Sequence, residues 1–371
     1  MPADAASRDR IVERRLVARP YFSICIPQHN RTSFLIEVCR SLDRQRFRSF
    51  EVCISDDAST DGRDGELLQY LESSGLSFVY RRLATNRRYD GNLRAAMELA
   101  GGEFCFLLGN DDALAAPDTL ERLHAIMTGH ATPDVVFTNF ADFTTERVTQ
   151  RAPRTALLGA GPAVAARGYR KFSFVSGVVL RREPAQAAAV TRWDGSEMYQ
   201  MYIGCRLIAA GGALLETDLV TVQKDVQIPG EAVDSYATRA RVRERGIPQR
   251  RIPLASVAGL VIDALAPHLE QGRLRAMASV LIQYFGFLYP FWLLEYRRVQ
   301  SWHFAAGVAR AMRPGQTLAG CALPAIERVL ASTTYAAATL IGLGAPLGLL
   351  TAIHRPARLV ARKVGEWAAA C

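Results

Sequence analysis

The chain has 371 residues and a formal net charge of +9, with 49% apolar and 22% charged residues. This is the composition of an ordinary globular protein, so a fibrous or fully disordered chain is excluded. The length exceeds what one hydrophobic core usually absorbs, and we therefore expect one large domain with an appendage.

Short apolar runs alternate with helical patterns through the first 140 residues. The apolar runs are typical of buried strands and lie at 22–27, 50–55, 78–83, 103–109 and 134–140. The helical patterns lie at 32–45, 65–74, 90–102 and from Pro117 onward. Strands that alternate with helices predict an α/β fold with a mainly parallel sheet and helices on both faces.

Polar clusters follow three of the predicted strands. They are "PQHNR" (27–31), "DDASTDG" (56–62) and "GNDD" (109–112). A lone Asp-Asp pair is usually a solvated turn or a helix cap. Ligands of such sheets bind outside the carboxyl ends of the strands, and all three clusters fall at that edge. Together they predict a binding site there.

The order and spacing of four blocks over this region resemble the family 2 glycosyltransferases, which have a GT-A fold. The blocks are "SICIPQHNR" (23–31), "EVCISDDASTDG" (51–62), "NRRYDGNLRAAMELAGGEFCFLLGNDDAL" (86–114) and "SGVVLRRE" (176–183). Within the family the chain looks most like bacterial surface-polysaccharide transferases of the abequosyltransferase and rhamnosyltransferase type. The resemblance implies a GT-A domain (21–235), preceded by an N-terminal extension (1–20). The rest of the chain (236–371) is expected from its composition to form a C-terminal helical region.

The resemblance also implies an inverting transfer from a nucleotide-diphospho-sugar, assisted by Mg²⁺ or Mn²⁺. A divalent cation stabilises the charge of the leaving diphosphate, and one or two carboxylates commonly hold it together with phosphates and water. The implied metal-binding acid is Asp111, with Asp112 second. The family pattern is Asp-x-Asp, and this chain departs from it because Gly109 stands at the first position. Asn110 is then the candidate to hold the ribose.

A nucleotide pocket follows from the same resemblance. Asp57 is expected to accept the N3–H of a pyrimidine base, which favours UDP- or dTDP-sugars, while Asp56 shapes the loop. The pocket is expected to be lined by Pro27, Asn30 and Arg31, and the donor to be faced by Asn86, Asp90 and Asn92. For Asp90 and Asn92 the alternative is plain helix capping.

An inverting transfer needs a general base that deprotonates the acceptor hydroxyl. In the family this base is an acid near the start of a helix on the acceptor side. The corresponding stretch is "RWDGSEMYQMYIGCRLIAAGG" (192–212), interpreted as a loop and then a helix. Glu197 is preferred because it is expected to open the helix, and Asp194 is the second candidate. The alternative for Glu197 is a capping role in the first turn.

Basic charge is concentrated in the C-terminal third, where residues 236–371 hold 17 Lys and Arg against 6 Asp and Glu. Its aromatic residues cluster in an apolar run and do not alternate with the arginines, which disfavours nucleic acid as a partner. Two uncharged runs, 277–294 and 331–353, approach membrane-spanning length. We expect a helical tail that lies on, or dips into, the anionic inner face of the plasma membrane and receives a glycan or lipid-linked acceptor. A buried helical subdomain or an oligomer interface is the alternative.

The compartment expected from the sequence is the cytoplasm. The seven cysteines have no metal-ligand spacing, and four of them lie in apolar runs, which indicates reduced thiols. The first twenty residues are charged and lack an apolar core, so we expect no secretory signal.

Two other function classes remain open from the sequence. A nucleotidyltransferase would carry a glycine-rich phosphate loop after the first strand, and "PQHNRTS" contains no glycine. A catalytically inactive GT-A binding module is the other, and the missing first Asp of the metal motif is the feature that suggests it.

Overall fold

The structure is a computed structural model that describes residues 9–231, 255–269, 273–349 and 352. It divides the chain into two compact units. The first comprises residues 1–159 with 171–239, and the second comprises residues 160–170 with 240–371. The predicted apolar run 331–353 ends outside the described residues.

Eleven strands and thirteen helices are assigned in the described residues. The strands are Arg10–Arg14 (β1), Phe22–Gln28 (β2), Phe50–Asp56 (β3), Phe78–Arg82 (β4), Phe104–Leu107 (β5), Ala113–Leu114 (β6), Val135–Asp142 (β7), Val148–Thr149 (β8), Ala156–Gly159 (β9), Val178–Arg181 (β10) and Leu214–Lys224 (β11). The helices are Thr32–Asp43 (α1), Asp64–Ser73 (α2), Arg88–Glu98 (α3), Thr119–Gly129 (α4), Pro162–Gly168 (α5), Arg182–Ala187 (α6), Tyr199–Ala209 (α7), Val257–Leu265 (α8), Arg273–Leu281 (α9), Tyr289–Val299 (α10), Trp302–Ala311 (α11), Pro314–Thr317 (α12) and Ala325–Gly344 (α13).

The first unit is built on one mixed sheet with the order β1-β4-β3-β2-β5-β10-β7-β11-β6. Strands β4, β3, β2 and β5 run parallel, as the alternation of strands and helices predicts. Strand β10 lies antiparallel between β5 and β7, and β11 runs parallel to β7. The predicted α/β fold is confirmed. The strand β1, which the sequence places in the N-terminal extension, pairs antiparallel with β4.

The central parallel strands β2, β3 and β5 are almost completely buried, which explains why they are continuous apolar runs in the sequence. Every residue of β3 is buried, and in β2 only Pro27 is partly accessible. Helix α3 packs on β2 and β3, and α4 packs on β11. The carboxyl ends of β3, β2 and β5 therefore meet at one edge of a rigid sheet. The cysteines of the described residues are free thiols, as predicted.

The second unit is helical in its described part, as predicted. A continuous helical stretch, Arg273–Arg298, is long and apolar enough to cross a membrane, but 59% of its apolar window is buried within the protein. Its buried aromatic residues include Tyr284, Phe285 and Tyr289. This stretch, which contains the first uncharged run of the sequence, therefore has the packing of a core helix.

Candidate active site

Gln28, at the end of β2, connects the three polar clusters at the sheet edge. Its backbone carbonyl accepts hydrogen bonds from the Asp57 amide at 2.9 Å and from Asn92 Nδ2 at 3.0 Å. Its side-chain oxygen accepts from Asn110 Nδ2 at 2.7 Å. Since Gln28 is buried, these bonds fix the ends of β2, β3 and β5 and the start of α3 relative to one another.

The loop after β3 is fixed by Asp56 and by Asn30. Both oxygens of Asp56 are used, because they accept from the Ser59 amide at 2.8 Å and from the Tyr80 hydroxyl at 2.7 Å. The side chain of Asn30 donates a hydrogen bond from Nδ2 to Thr60 Oγ1 at 3.2 Å, and its backbone amide donates to Ser59 Oγ at 2.9 Å. Asp56 therefore has the geometry of a residue that shapes the loop, and Asn30 joins this loop to the end of β2.

Asp57 is buried at the tip of this loop, and one of its oxygens remains available. Oδ1 accepts from the Arg87 amide, and the Arg88 amide also stabilises the carboxylate, while Oδ2 forms no hydrogen bond of normal geometry with the described residues. Burial raises the pKa of Asp57 above its ordinary value, against the opposing effect of the backbone hydrogen bond from Arg87. Asn86 holds the Asp57 carbonyl through Nδ2 at 3.2 Å. A ligand N–H that donates to Oδ2 would offset the cost of burying this charge.

The two carboxylates of the acid pair differ in their surroundings: both oxygens of Asp112 accept hydrogen bonds within the protein, whereas Asp111 is more accessible. The oxygens of Asp112 accept from the Ser176 hydroxyl and from the Asp225 amide, the latter at 3.0 Å. Burial and then the neighbouring charge of Asp111 raise the pKa of Asp112 to about 7. Asp111 is less buried, and its carboxylate pairs with Arg31. Asp112 thus fixes the loop after β11, and Asp111 presents charge toward the β2 cluster.

Gly109 is a glycine because its surroundings leave no room for a side chain. A Cβ at this position would lie 2.8 Å from Asp112 Oδ2, 3.2 Å from Asp111 Oδ1 and 3.3 Å from Ser176 Oγ. Its amide also donates to Ser176 Oγ at 2.8 Å. The absence of the first Asp of the family pattern is therefore compensated by Ser176, which fills the space and holds Asp112.

The donor set at this edge fits a hard divalent cation only in part. Asp111 offers carboxylate oxygens of the type that Mg²⁺ and Mn²⁺ prefer, whereas Asp112 is already engaged on both oxygens. Among the described residues no cluster of three or more His, Cys, Asp or Glu side chains is arranged to hold a metal ion. A cation here would rely on Asp111 together with the phosphates of a ligand, as the sequence analysis assumes.

Asp90, which lies in the first turn of α3, holds the segment that was interpreted as the acceptor side. Its carboxylate accepts from the amides of Gly195 at 2.8 Å, Glu197 at 2.9 Å and Tyr199 at 3.0 Å. Burial raises its pKa, and these amides oppose that effect. Asp90 is thus a cap, but it caps helix α7 and not the helix that carries it. Asn92 donates to Gln28, and its buried Oδ1 has no partner among the described residues.

The two candidate bases differ in their surroundings. Asp194 is exposed and forms a bidentate ion pair with Arg94 at 2.6 and 2.7 Å. Glu197 is half-buried and has a left-handed backbone, with φ +59°. The prediction that Glu197 opens the helix is wrong: α7 begins at Tyr199, and its first turn contains no acid. The cap comes from Asp90, so the helix needs no acid of its own.

The charges of Glu197 and of Asp112, one of the acid pair, both act on the phenol of Tyr89. Burial raises the pKa of its phenol well above the ordinary value, and the charges of Asp90, Glu197 and Asp112 raise it further. These carboxylates therefore surround one phenol. Its hydroxyl donates to Gln200 Oε1 at 3.1 Å, which joins α3 to α7. Tyr199 and Tyr202 of α7 are buried in the core.

Four residues of the site escaped sequence reasoning: Gln28, Tyr89, Ser176 and Arg151. Arg151 is buried against the rings of Phe137, Phe140 and Phe174, and it donates to the Ser176 carbonyl at 2.8 Å. Desolvation lowers its pKa to about 9. The position of Gln28 at a strand end is a usable signal, whereas Ser176 and Arg151 reach the site through tertiary contacts alone.

Comparison with known proteins identifies this part of the chain. Residues 23–184 match the family described as Glycosyl transferase family 2. This segment is a family 2 glycosyltransferase domain. The resemblance inferred from the sequence motifs is thereby confirmed.

Curated relatives match the chain over part of their length. Abequosyltransferase RfbV of Salmonella typhimurium is 29% identical over 199 residues, which cover 49% of this chain and 56% of the relative. A PGL/p-HBAD biosynthesis glycosyltransferase of Mycobacterium tuberculosis is 31% identical over 121 residues, which cover 33% of this chain and 47% of the relative. The chain thus spans about half the length of these relatives.

Solved structures share the fold of this chain. The 1–349 fragment of TarS from S. aureus in complex with UDP has a TM-score of 0.57 at 17% identity, over 86% of this chain and 90% of that one. The mannosyltransferase PcManGT from Pyrobaculum calidifontis in complex with GDP-Man and Mn²⁺ has a TM-score of 0.50 at 18% identity, over 95% and 90%. At these identities the likeness shows the fold.

Proposed function

We propose that this protein is an inverting glycosyltransferase that moves a sugar from a UDP- or dTDP-sugar to a glycan or lipid-linked acceptor. The observation that carries the proposal is the hydrogen-bond network around Gln28. This network brings the available oxygen of Asp57, the accessible carboxylate of Asp111 and the start of α3 to one edge of the sheet. Such a constellation suits a ligand with a hydrogen-bonding base at one end and a diphosphate at the other.

Each end of the donor has a distinct partner in this proposal. Asp57 Oδ2 accepts the N3–H of uracil or thymine, a donor that neutral guanine and cytosine do not present in the same place. Arg31 and Asp111 lie where the diphosphate would sit. A bound Mg²⁺ or Mn²⁺ would neutralise the leaving diphosphate, with Asp111 as its protein ligand. Asn110, held by Gln28, remains the candidate for the ribose.

Glu197 is the base of the proposed transfer. It takes the proton from the acceptor hydroxyl as the sugar leaves the diphosphate, so the anomeric centre is attacked from the opposite face. Asp194 is less suited, because its bidentate pair with Arg94 occupies both oxygens. Asp90 is a positioning residue that holds the Glu197 segment through backbone amides.

A cytoplasmic site at the inner face of the plasma membrane is part of the proposal. The basic C-terminal third and the free, buried thiols of the described residues support it. One relative, poly(ribitol-phosphate) β-N-acetylglucosaminyltransferase TarS of Staphylococcus aureus, carries a polymer acceptor in its name, which supports a polymer acceptor here.

Donor hydrolysis tests the chemistry without knowledge of the acceptor. The full chain is incubated with Mn²⁺ and a panel of UDP-, dTDP- and GDP-sugars, and release of the nucleoside diphosphate is measured. We expect turnover of a pyrimidine-linked sugar, with a loss of about a hundredfold or more in Glu197→Gln. Asp194→Asn is the matched control and should lose far less.

Other outcomes identify the alternatives. A protein that binds UDP with Mn²⁺ but hydrolyses no donor is an inactive binding module. Release of pyrophosphate from a nucleoside triphosphate and a sugar phosphate identifies a nucleotidyltransferase. If Asp194→Asn shows the large loss and Glu197→Gln does not, the base is Asp194.

A further inference from the structure

The long helix α13 is anchored in the second unit along one face. Gly342 lies against Leu293, since a Cβ at this glycine would come within 2.7 Å of Leu293 Cδ1. Buried Glu327 is bound by Arg273 at 2.9 Å. Arg297 donates to the Gly342 carbonyl at 2.7 Å, which satisfies the C-terminal end of the helix. These contacts hold this face of α13 against the neighbouring helices of the second unit.

The opposite face of α13 is apolar and open to water. Leu340 is 75% exposed, and Ile326 and Val329 are each 60% exposed. The positions between them on the same face are exposed Thr and Ala residues. Arg328 is the one charged residue of α13 besides buried Glu327. A contiguous apolar surface of this kind indicates a partner, because isolated exposed apolar residues are normal but long stripes are not.

Basic and aromatic residues border this apolar face. Trp302 is half exposed and donates through Nε1 to the Leu343 carbonyl at 3.1 Å, so it lies beside the end of α13. Arg310 is exposed on the neighbouring helix α11, and the Tyr335 hydroxyl joins α13 to the end of α11. Arg298 is exposed on α10, where it pairs with Glu295 at 3.0 Å.

We propose that the exposed face of α13, with Trp302 and the surrounding arginines, docks on an anionic lipid bilayer without crossing it. The apolar stripe would enter the headgroup–acyl boundary, the indole would lie at the interface, and the arginines would meet anionic headgroups. A second copy of the chain fits less well. A two-fold contact through this face would bring the same arginines together, and their repulsion would oppose it.

Vesicle co-sedimentation of the full chain tests this surface. The probes are vesicles of phosphatidylcholine alone and of phosphatidylcholine with about one third phosphatidylglycerol, each at low and high salt. We expect binding to the anionic vesicles, weaker in 0.5 M salt because headgroup attraction is screened (about a 4 Å Debye length against about 10 Å at 0.1 M). The double variant Val329→Asp/Leu340→Asp should bind at least tenfold less.

The matched control is Leu16→Asp/Val148→Asp, which places the same two charges at exposed apolar residues of the first unit. It should bind within twofold of the unchanged protein. Equal binding of the double variant, or no binding of the unchanged protein to anionic vesicles, overturns the proposal. So does a dimer in analytical ultracentrifugation that the double variant converts to a monomer. No sugar donor is used, so the result does not depend on the proposed transferase activity.

Discussion

At the scale of single residues, Gly109 explains how this chain departs from the family's metal motif. The acid expected at this position is replaced by a glycine whose Cβ space is taken by Asp112 and Ser176. The sequence shows the departure but not its cause, because Ser176 is 67 residues away along the chain. The glycine that stands in place of the first Asp of the motif is therefore part of a different contact, in which Ser176 bonds the Gly109 amide and Asp112.

This contact makes Gly109→Ala a sharp test. We expect the added methyl group to lower the free energy of unfolding by about 1–3 kcal/mol, the usual cost of overpacking a filled site. Denaturant unfolding measures it. Gly65→Ala, in helix α2 with open space around its Cβ, is the control and should be neutral or stabilising. If Gly109→Ala and Gly65→Ala have the same free energy of unfolding, the side chains around Gly109 accommodate a methyl group without cost and the overpacking interpretation is wrong.

Asp57 is the residue expected to read the base. Asp57→Ala should weaken binding of UDP by about 1.5–3 kcal/mol, the value of a hydrogen bond to a charged group, and should leave GDP binding nearly unchanged. Calorimetry gives both affinities. Asp61→Ala in the same loop removes a contact to Thr32 and should not alter the UDP-to-GDP ratio. A native preference for GDP would contradict the pyrimidine assignment.

At the scale of elements, the buried parallel strands were predictable and the antiparallel additions were not. The runs at β2 to β5 are continuous and apolar because both faces of the sheet are covered. Strand β10 joins them from 70 residues further on, and nothing in its local pattern gives its direction. The start of α7 was predicted too early because its cap, Asp90, is distant in sequence.

Asp90 therefore couples two elements, and its removal should affect catalysis without affecting the nucleotide. Asp90→Asn retains the size of the side chain but cannot accept from all of its amide donors. We expect a lower kcat with little change in UDP affinity, and a loss of about 0.5–2 kcal/mol of stability as for a lost helix cap. Steady-state kinetics and calorimetry separate these effects.

Asp134→Asn is a suitable control for this prediction. Asp134 also accepts from a backbone amide, that of Ala213 at 2.8 Å, but it precedes β7 and so lies at the amino end of that strand, away from the site. It should cost stability and leave kcat unchanged. A proportional loss of kcat and UDP affinity in Asp90→Asn would place Asp90 in direct contact with the donor.

At the scale of the whole molecule, the sequence shows that the basic charge lies in the C-terminal third, but it does not show which apolar surface of that region is exposed. The excess of arginine in the C-terminal third is visible in the composition, and the helical character of that region was predicted correctly. The sequence did not show which of the two uncharged runs is buried in the folded unit. Both runs are uncharged, yet the first packs as core and the second leaves Leu340 and Ile341 exposed, because only the folded unit decides which faces meet.

The central claim is that a pyrimidine nucleoside diphosphate binds at the sheet edge together with a metal on Asp111. The most direct test is calorimetric titration of UDP into the full chain with Mn²⁺ and then with a chelator, for the unchanged protein and for Asp111→Asn. We expect the unchanged protein to lose at least tenfold in affinity without the metal, and the variant to bind weakly under both conditions. Equal UDP affinity in all four titrations would contradict the account.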